Sequence, residues 1–104
     1  MASSKEYRTF VLDQLSLLDD VSCKPMMGEF ILYYRGKIVG GIYDDRLLVK
    51  PTASARRMMP EAAFVSPYEG AKEMLSVDEI DDRAFLKDLF DAMADELPEV
   101  KRKK

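Results

Sequence analysis

The sequence predicts a single α+β domain, a two-layer α/β sandwich in which an antiparallel sheet carries helices on one face. Three observations favour it: amphipathic helical patterns near both ends of the chain, a short helical pattern in its middle, and strand-like segments joined by two-residue turns. Links this short connect antiparallel neighbours. We expect residues 1–98 to form the domain and 99–104 a disordered basic tail.

The first helix is predicted over about residues 4–18. Ser3 and Glu6 have the spacing of a capping box. Asp19 and Asp20 are unfavourable beside the negative end of the helix dipole, so they are expected to end it. Apolar residues recur at three- and four-residue intervals and form the predicted core stripe: Tyr7, Phe10, Val11, Leu15 and Leu18.

The centre of the chain predicts an antiparallel meander. Pro25 places the first strand at an edge or bulge, because proline cannot donate to the ladder. Gly28 is a predicted bend, and Arg35-Gly36 and Asp44-Asp45 are predicted tight turns. The predicted strands are 21–26, 29–34, 37–43 and 46–50.

The second half alternates short elements with loops. A short helix is predicted from Thr52 or Ser54 to about Met59, where Pro60 closes it. After a loop with defined turns, Glu73–Val77 is predicted as a strand.

The final helix is predicted to begin at Asp78 or Asp81 and to end at Pro98. Its broad apolar face consists of Phe85, Leu86, Leu89, Phe90, Met93 and Leu97.

Composition excludes several classes of function. The chain has no histidine and one cysteine, so a disulfide within the chain and a two-cysteine metal site are both excluded. Cys23 beside Lys24 could be a redox switch, but a buried, inert cysteine on a strand is the favoured interpretation. No apolar run spans a bilayer and no signal peptide is evident, so we expect a cytoplasmic protein without a membrane partner.

Catalysis is not expected. Asp44 and Asp45 could act as an acid–base pair, yet adjacent aspartates in a hairpin suit the turn itself, and no nucleophile accompanies them. We therefore predict a non-enzymatic protein that needs no cofactor.

Charge is unevenly distributed along the chain. Residues 24–57 carry a net charge of +4, residues 58–100 carry −9, and the tail 101–104 adds +4. Nucleic-acid contact by the basic region and tail is possible but not favoured, because the domain as a whole is acidic. The last helix would repel DNA if its outer face carries Asp88, Asp91, Asp95 and Glu96. The residues predicted to bind a partner, or else to be solubilising surface charge, are Lys24, Arg35, Lys37, Lys50, Arg56 and Arg57.

The methionines have two interpretations. They form either an adaptable binding surface or, as favoured here, the filling of an irregular core. Met58-Met59 or an uncovered sheet edge could also support a homodimer. The residues concerned are Met26, Met27, Met58, Met59, Met74 and Met93.

Several motifs together resemble the N-terminal domain of the TfoX/Sxy competence regulators. They are Lys24-Pro25-Met26-Met27-Gly28-Glu29-Phe30, then Tyr33-Tyr34-Arg35-Gly36-Lys37, Asp45-Arg46-Leu47-Leu48-Val49-Lys50-Pro51, Pro67-Tyr68-Glu69-Gly70-Ala71-Lys72 and Glu96-Leu97-Pro98. Pro25 and Met27 replace the usual lysine and phenylalanine. The positions taken as motif or structural residues are Met26, Gly28, Gly36, Asp45, Tyr68 and Gly70.

The resemblance implies the element order α-β(3)-α-β(2)-α, whereas the residue patterns give up to four strands before the middle helix. Full-length TfoX proteins regulate DNA uptake and competence genes and carry a C-terminal helical domain, which we expect to be absent here. No catalytic residues are implied. The resulting hypothesis is a small interaction module that acts through a protein partner in transcriptional regulation, with direct nucleic-acid binding as the alternative.

Overall fold

The structure, a computed structural model, describes residues 5–26 and 29–97. Within them it has three helices and one antiparallel sheet of six strands in the order β1-β2-β3-β4-β6-β5. The predicted α+β class is confirmed. The elements are α1 Lys5–Gln14, β1 Val21–Met26, β2 Glu29–Tyr34, β3 Lys37–Ile42, β4 Leu47–Val49, α2 Ala53–Met58, β5 Phe64–Val65, β6 Met74–Ser76 and α3 Arg83–Ala94.

Side-chain alternation along β2 defines two faces of the sheet. Phe30, Leu32 and Tyr34 are buried, and they belong to one core with residues from all three helices, including Val11 of α1 and Phe90 of α3. We call this the inner face. The residues between them, and their partners on neighbouring strands, point to the opposite, outer face.

Four strands precede α2, as the residue patterns predicted; the three implied by the family resemblance are wrong. Asp44 and Asp45 divide the meander, because both adopt left-handed backbone angles with φ of 52° and 55°. Tyr43 and Arg46 close this turn by exchanging backbone hydrogen bonds of 2.9 and 3.0 Å. Asp45 therefore has the turn position that its motif predicted.

The turn between β2 and β3 is also as predicted. Arg35 and Gly36 have φ of 54° and 78°, the paired positive values of a type I′ hairpin. Gly28 and Met27 lie outside the described residues.

A β-bulge interrupts the pairing of β2 with β3. Tyr33 pairs with Ile38 but Leu32 pairs with Gly40, which leaves Val39 as the extra residue. Val39 is fully buried, and its carbonyl accepts a 2.9 Å hydrogen bond from the Lys50 backbone N–H.

The first helix differs from its prediction. α1 ends at Gln14, and Phe10 is 40% exposed, so its assignment to the core stripe is wrong. Gln14 is buried instead, because its amide donates to the Ile80 carbonyl at 3.1 Å. The predicted cap at Ser3 lies outside the described residues.

The remaining elements follow the predictions with shifted ends. α2 is capped by Thr52, whose hydroxyl accepts from the Ala55 backbone N–H. α3 is capped by Asp82, not by Asp78 or Asp81, and it ends at Ala94, so the predicted extension to Pro98 is wrong. The residue patterns predicted β6 but not β5, whereas the two strands that the family resemblance implies between α2 and α3 are confirmed.

Candidate interaction cleft on the outer face of the sheet

A cleft of about 500 Å³ lies on the outer face, between β3 and the loop that precedes β6. It joins two motifs that are separate in the sequence, the end of β4 with Lys50-Pro51 and the loop containing Pro67-Tyr68. Its lining residues are Ile38, Gly40, Tyr43, Lys50, Pro51, Pro67, Tyr68, Ala71, Lys72, Glu73 and Met74.

The wall of the cleft on the β3 side depends on close packing of the chain. Ile38 pairs with Tyr33, so both side chains point outward. The Tyr43 ring folds back over Gly41, where an added Cβ would lie 2.6 Å from that ring and 2.6 Å from the Phe30 carbonyl oxygen. A side chain at this position would therefore force the Tyr43 ring or the β2 backbone to shift.

The opposite wall is a turn that presents an aromatic side chain. Gly70 has a φ of +87°, and the Ala71 backbone N–H donates to the Tyr68 carbonyl at 3.1 Å. The Ser66 hydroxyl donates to the Ala71 carbonyl at 3.4 Å. Tyr68 is 58% exposed, so its ring is available to a ligand. The predicted turn role of Gly70 is confirmed.

The electrostatics of the cleft combine a neutral phenol with lysines. Burial, followed by the proximity of Tyr68 and Glu29, raises the pKa of the Tyr43 hydroxyl. Tyr43 therefore remains a neutral hydrogen-bonding group in the cleft near pH 7. Lys50 and Lys72 supply positive charge and Glu73 supplies one negative charge.

The outer face continues beyond the cleft toward β1. Lys24 places its Nζ 5.4 Å from the ring centroid of Tyr33, a cation–π distance. Sequence reasoning identified Lys24 and Lys50, but it missed Ile38, Tyr43 and Met74 as residues of one site. These three side chains share the outer face of the sheet. In β3 the alternation of side chains between the two faces can be assigned only when the position of the bulge is known.

The six predicted basic residues do not share one surface. Arg35 pairs with Asp91 at 3.5 Å, and Lys37 donates to the Ala94 carbonyl at 2.9 Å, so both contact α3. Arg57 donates to the Ser54 hydroxyl at 3.2 Å. Arg56 is exposed on α2, and only Lys24 and Lys50 lie on the outer face.

Two of the acidic residues predicted on the outer side of the last helix, the half-buried Asp91 and the exposed Glu96, accept side-chain or backbone hydrogen bonds. Asp91 accepts hydrogen bonds from the Tyr34 hydroxyl and from Lys87, and in that order these bonds lower the pKa of its carboxyl. Glu96 accepts two bonds from Ser54. Asp88 and Asp95 are exposed as predicted.

Sulfur-containing residues divide between the faces. Met59 and Met93 are buried in the core, as favoured, and Met58 packs against it. Met26 and Met74 are half-buried outside that core. Cys23 is free and half-buried against the core, not fully buried.

No group of three or more histidine, cysteine, aspartate or glutamate side chains among the described residues is placed to hold a metal ion. None of the described helices combines the length and apolar character needed to cross a bilayer.

The part of the chain that forms the cleft matches a known sequence family. The sequence model of the TfoX N-terminal domain matches residues 13–91, a range that includes every lining residue. An uncharacterized 12.7 kDa protein in the trpE 5′ region of Spirochaeta aurantia is 35% identical over 105 residues, covering 100% of this chain and 91% of that protein. No solved structure matches significantly.

Proposed function

The chain belongs to the TfoX N-terminal domain family, and from this premise we propose that it is a small non-enzymatic module that binds a protein partner at the outer-face cleft. The observation that carries the proposal is the convergence of two separate motifs on one cleft with an exposed tyrosine and two lysines. The proposed role is cytoplasmic and regulatory, with transcription as the regulated process.

The lining indicates the chemistry of the partner. Ile38, Pro51, Pro67 and Met74 offer apolar surface, which suits an apolar side chain of the partner. Lys50 and Lys72 favour a neighbouring carboxylate. An extended segment with an apolar residue beside acidic ones fits both features.

A capture experiment with matched variants tests the proposal. Immobilised wild-type protein is incubated with cytosol of the source cell, with and without nuclease, and bound proteins are identified by mass spectrometry. Lys50→Glu and Tyr68→Ala alter the cleft, whereas Arg56→Glu makes the same charge change on α2. We expect wild type and Arg56→Glu to retain a specific protein after nuclease treatment, and the two cleft variants to lose it. Equal capture by all four would refute the cleft as the binding site.

Direct nucleic-acid binding is the second candidate, and one observation favours it. Tyr33 and Tyr68 are aromatic side chains on or beside a sheet face that also carries Lys24 and Lys50, a combination used to stack single-stranded bases. It predicts an affinity for single-stranded oligonucleotides that falls steeply with salt and is weakened by Lys24→Gln. Recovery of partners only without nuclease would support it, and an affinity unaffected by salt would exclude it.

A further inference from the structure

Strand β1 leaves one edge of the sheet without a neighbour among the described strands. Its pairing with β2 fixes which backbone groups face that edge. The Arg35 backbone N–H donates to the Asp20 carbonyl at 3.1 Å, at the end of the register that pairs Val21 with Tyr34. Hydrogen-bonded pairs alternate in an antiparallel ladder. The backbone groups of Ser22 and Lys24 therefore point to β2, and those of Val21 and Cys23 point away from it.

The position of Pro25 is consistent with this alternation of backbone groups along β1. It pairs with Phe30 at a position whose backbone points to the free edge, so its missing N–H removes no bond between β1 and β2. It also ends the row of outward donors. The free edge thus presents two residues, Val21 and Cys23, each with a full donor and acceptor.

We propose that β1 pairs antiparallel with β1 of a second copy of this chain, with Ser22 on the two-fold axis. Val21 then exchanges both backbone hydrogen bonds with the partner's Cys23, and Cys23 does the same with the partner's Val21. Every outward donor and acceptor of the two residues is satisfied, and the two sheets become one continuous sheet.

The side chains of β1 favour the register centred on Ser22 over the register centred on Cys23. Lys24 comes opposite the partner's Asp20, which directly precedes β1 and has a φ of 60°, so two symmetric opposite-charge pairs lie at the two ends of the paired segment. On the inner face the half-buried Val21 and Cys23 extend the apolar layer toward the partner. A register centred on Cys23 instead would place Val21 opposite the partner's Pro25, which has no N–H to donate.

The free edge of β1 and the cleft share no residue, so a failure to dimerise would leave the proposed function intact. The test combines light scattering over a concentration series with amide hydrogen exchange read by NMR. We expect the molar mass to rise from 11.9 kDa toward twice that value. In the dimer, exchange of the Val21 and Cys23 amides should slow by about tenfold or more, while the Ser22 and Lys24 amides, already bonded to β2, stay unchanged.

Two substitutions at one position provide the matched control. Cys23→Pro removes the outward N–H without removing a bond to β2, so we expect it to remain monomeric. Cys23→Ser keeps that N–H and should dimerise like wild type. Should Cys23→Pro fail to fold, Lys24→Glu decides, because it places a carboxylate opposite the partner's Asp20 and should weaken the dimer. A monomeric mass at every concentration overturns the proposal, and so does a dimer whose Val21 and Cys23 amides exchange at the unprotected rate.

Discussion

The carboxylate of Glu96 accepts hydrogen bonds from the backbone N–H and the hydroxyl of Ser54, at 2.9 and 2.7 Å. These bonds satisfy a donor in the first turn of α2 with a side chain from the turn after α3. Thr52 caps the same helix end from within its own segment. The first turn of the short α2 is therefore stabilised both by its own cap and by a side chain from beyond α3. Glu96 lies outside residues 13–91, which match the family.

Replacing Glu96 with glutamine should destabilise the fold in a pH-dependent way. The hydrogen bonds from Ser54, its backbone N–H first, lower the pKa of the Glu96 carboxyl below its ordinary value of 4.5. A carboxyl with a lowered pKa in the folded state stabilises the fold above its ordinary pKa, and this contribution is lost as the pH falls through the lowered value. We expect the Tm of Glu96→Gln to be a few degrees below wild type at pH 7 and the difference to shrink toward pH 3. Asp95→Asn, an exposed neighbour, is the control and should leave Tm unchanged at both pH values.

Removing the Tyr34 hydroxyl should cost about 1–2 kcal/mol of the free energy of unfolding, because Asp91 loses a hydrogen-bond donor. Tyr34→Phe keeps the buried ring against Phe90, so packing is preserved. Urea denaturation measures the difference. Tyr33→Phe on the outer face should change the stability by less than about 0.5 kcal/mol. Similar losses for both variants would show that the Tyr34–Asp91 bond contributes little.

Gly40→Ala should be far more damaging than Gly36→Ala. An added Cβ at Gly40 would lie 2.0 Å from the Leu48 carbonyl oxygen, so β3 and β4 would have to separate. At Gly36 nothing lies within 4 Å, and the only penalty is the positive φ, roughly 1–2 kcal/mol. Circular dichroism melts should show an unfolded or strongly destabilised Gly40→Ala and a cooperative Gly36→Ala. Equal melting temperatures would contradict the pairing of these strands.

Tyr68→Ala should leave stability within about 0.5 kcal/mol of wild type, because the side chain is largely exposed. Leu75 lies in β6 and is only 1% exposed, so Leu75→Ala should lower the free energy of unfolding by about 2–5 kcal/mol, measured by urea denaturation for both variants. A large loss of stability in Tyr68→Ala would mean that this ring supports the loop and is not held for a ligand.

The parts of the fold that sequence predicts well are those set by local chemistry. Arg35-Gly36 and Asp44-Asp45 are turn residues whatever surrounds them, and they fix the strands on either side. The strand β5 has no such signal, because two residues with an exposed Phe64 become a strand only by pairing with β6. Phe10 was misassigned to the core and the burial of Gln14 was not foreseen for a related reason, since the Gln14 amide donates to the carbonyl of the distant Ile80.

The candidate site was predictable only in part. Lys50 and Tyr68 could be named from their motifs, but their meeting depends on a loop that folds across β3. Lys37 was grouped with Lys50, but it lies elsewhere. It pairs with Tyr34 on the inner face and donates to the Ala94 carbonyl of α3. Neither long-range packing nor the face of a strand beyond a bulge can be read from adjacent residues.

The bulge at Val39 also affects how the lengths of related sequences should be compared. Elsewhere in β2 or β3, inserting or deleting one residue would exchange the inner and outer faces for the rest of the strand. At Val39 the extra residue is already absorbed, so a relative lacking it would keep Lys37 inward and Ile38 outward and would simply have an unbroken ladder. A one-residue alignment gap at this position is therefore compatible with an intact cleft, whereas the same gap a few residues away would signal its loss.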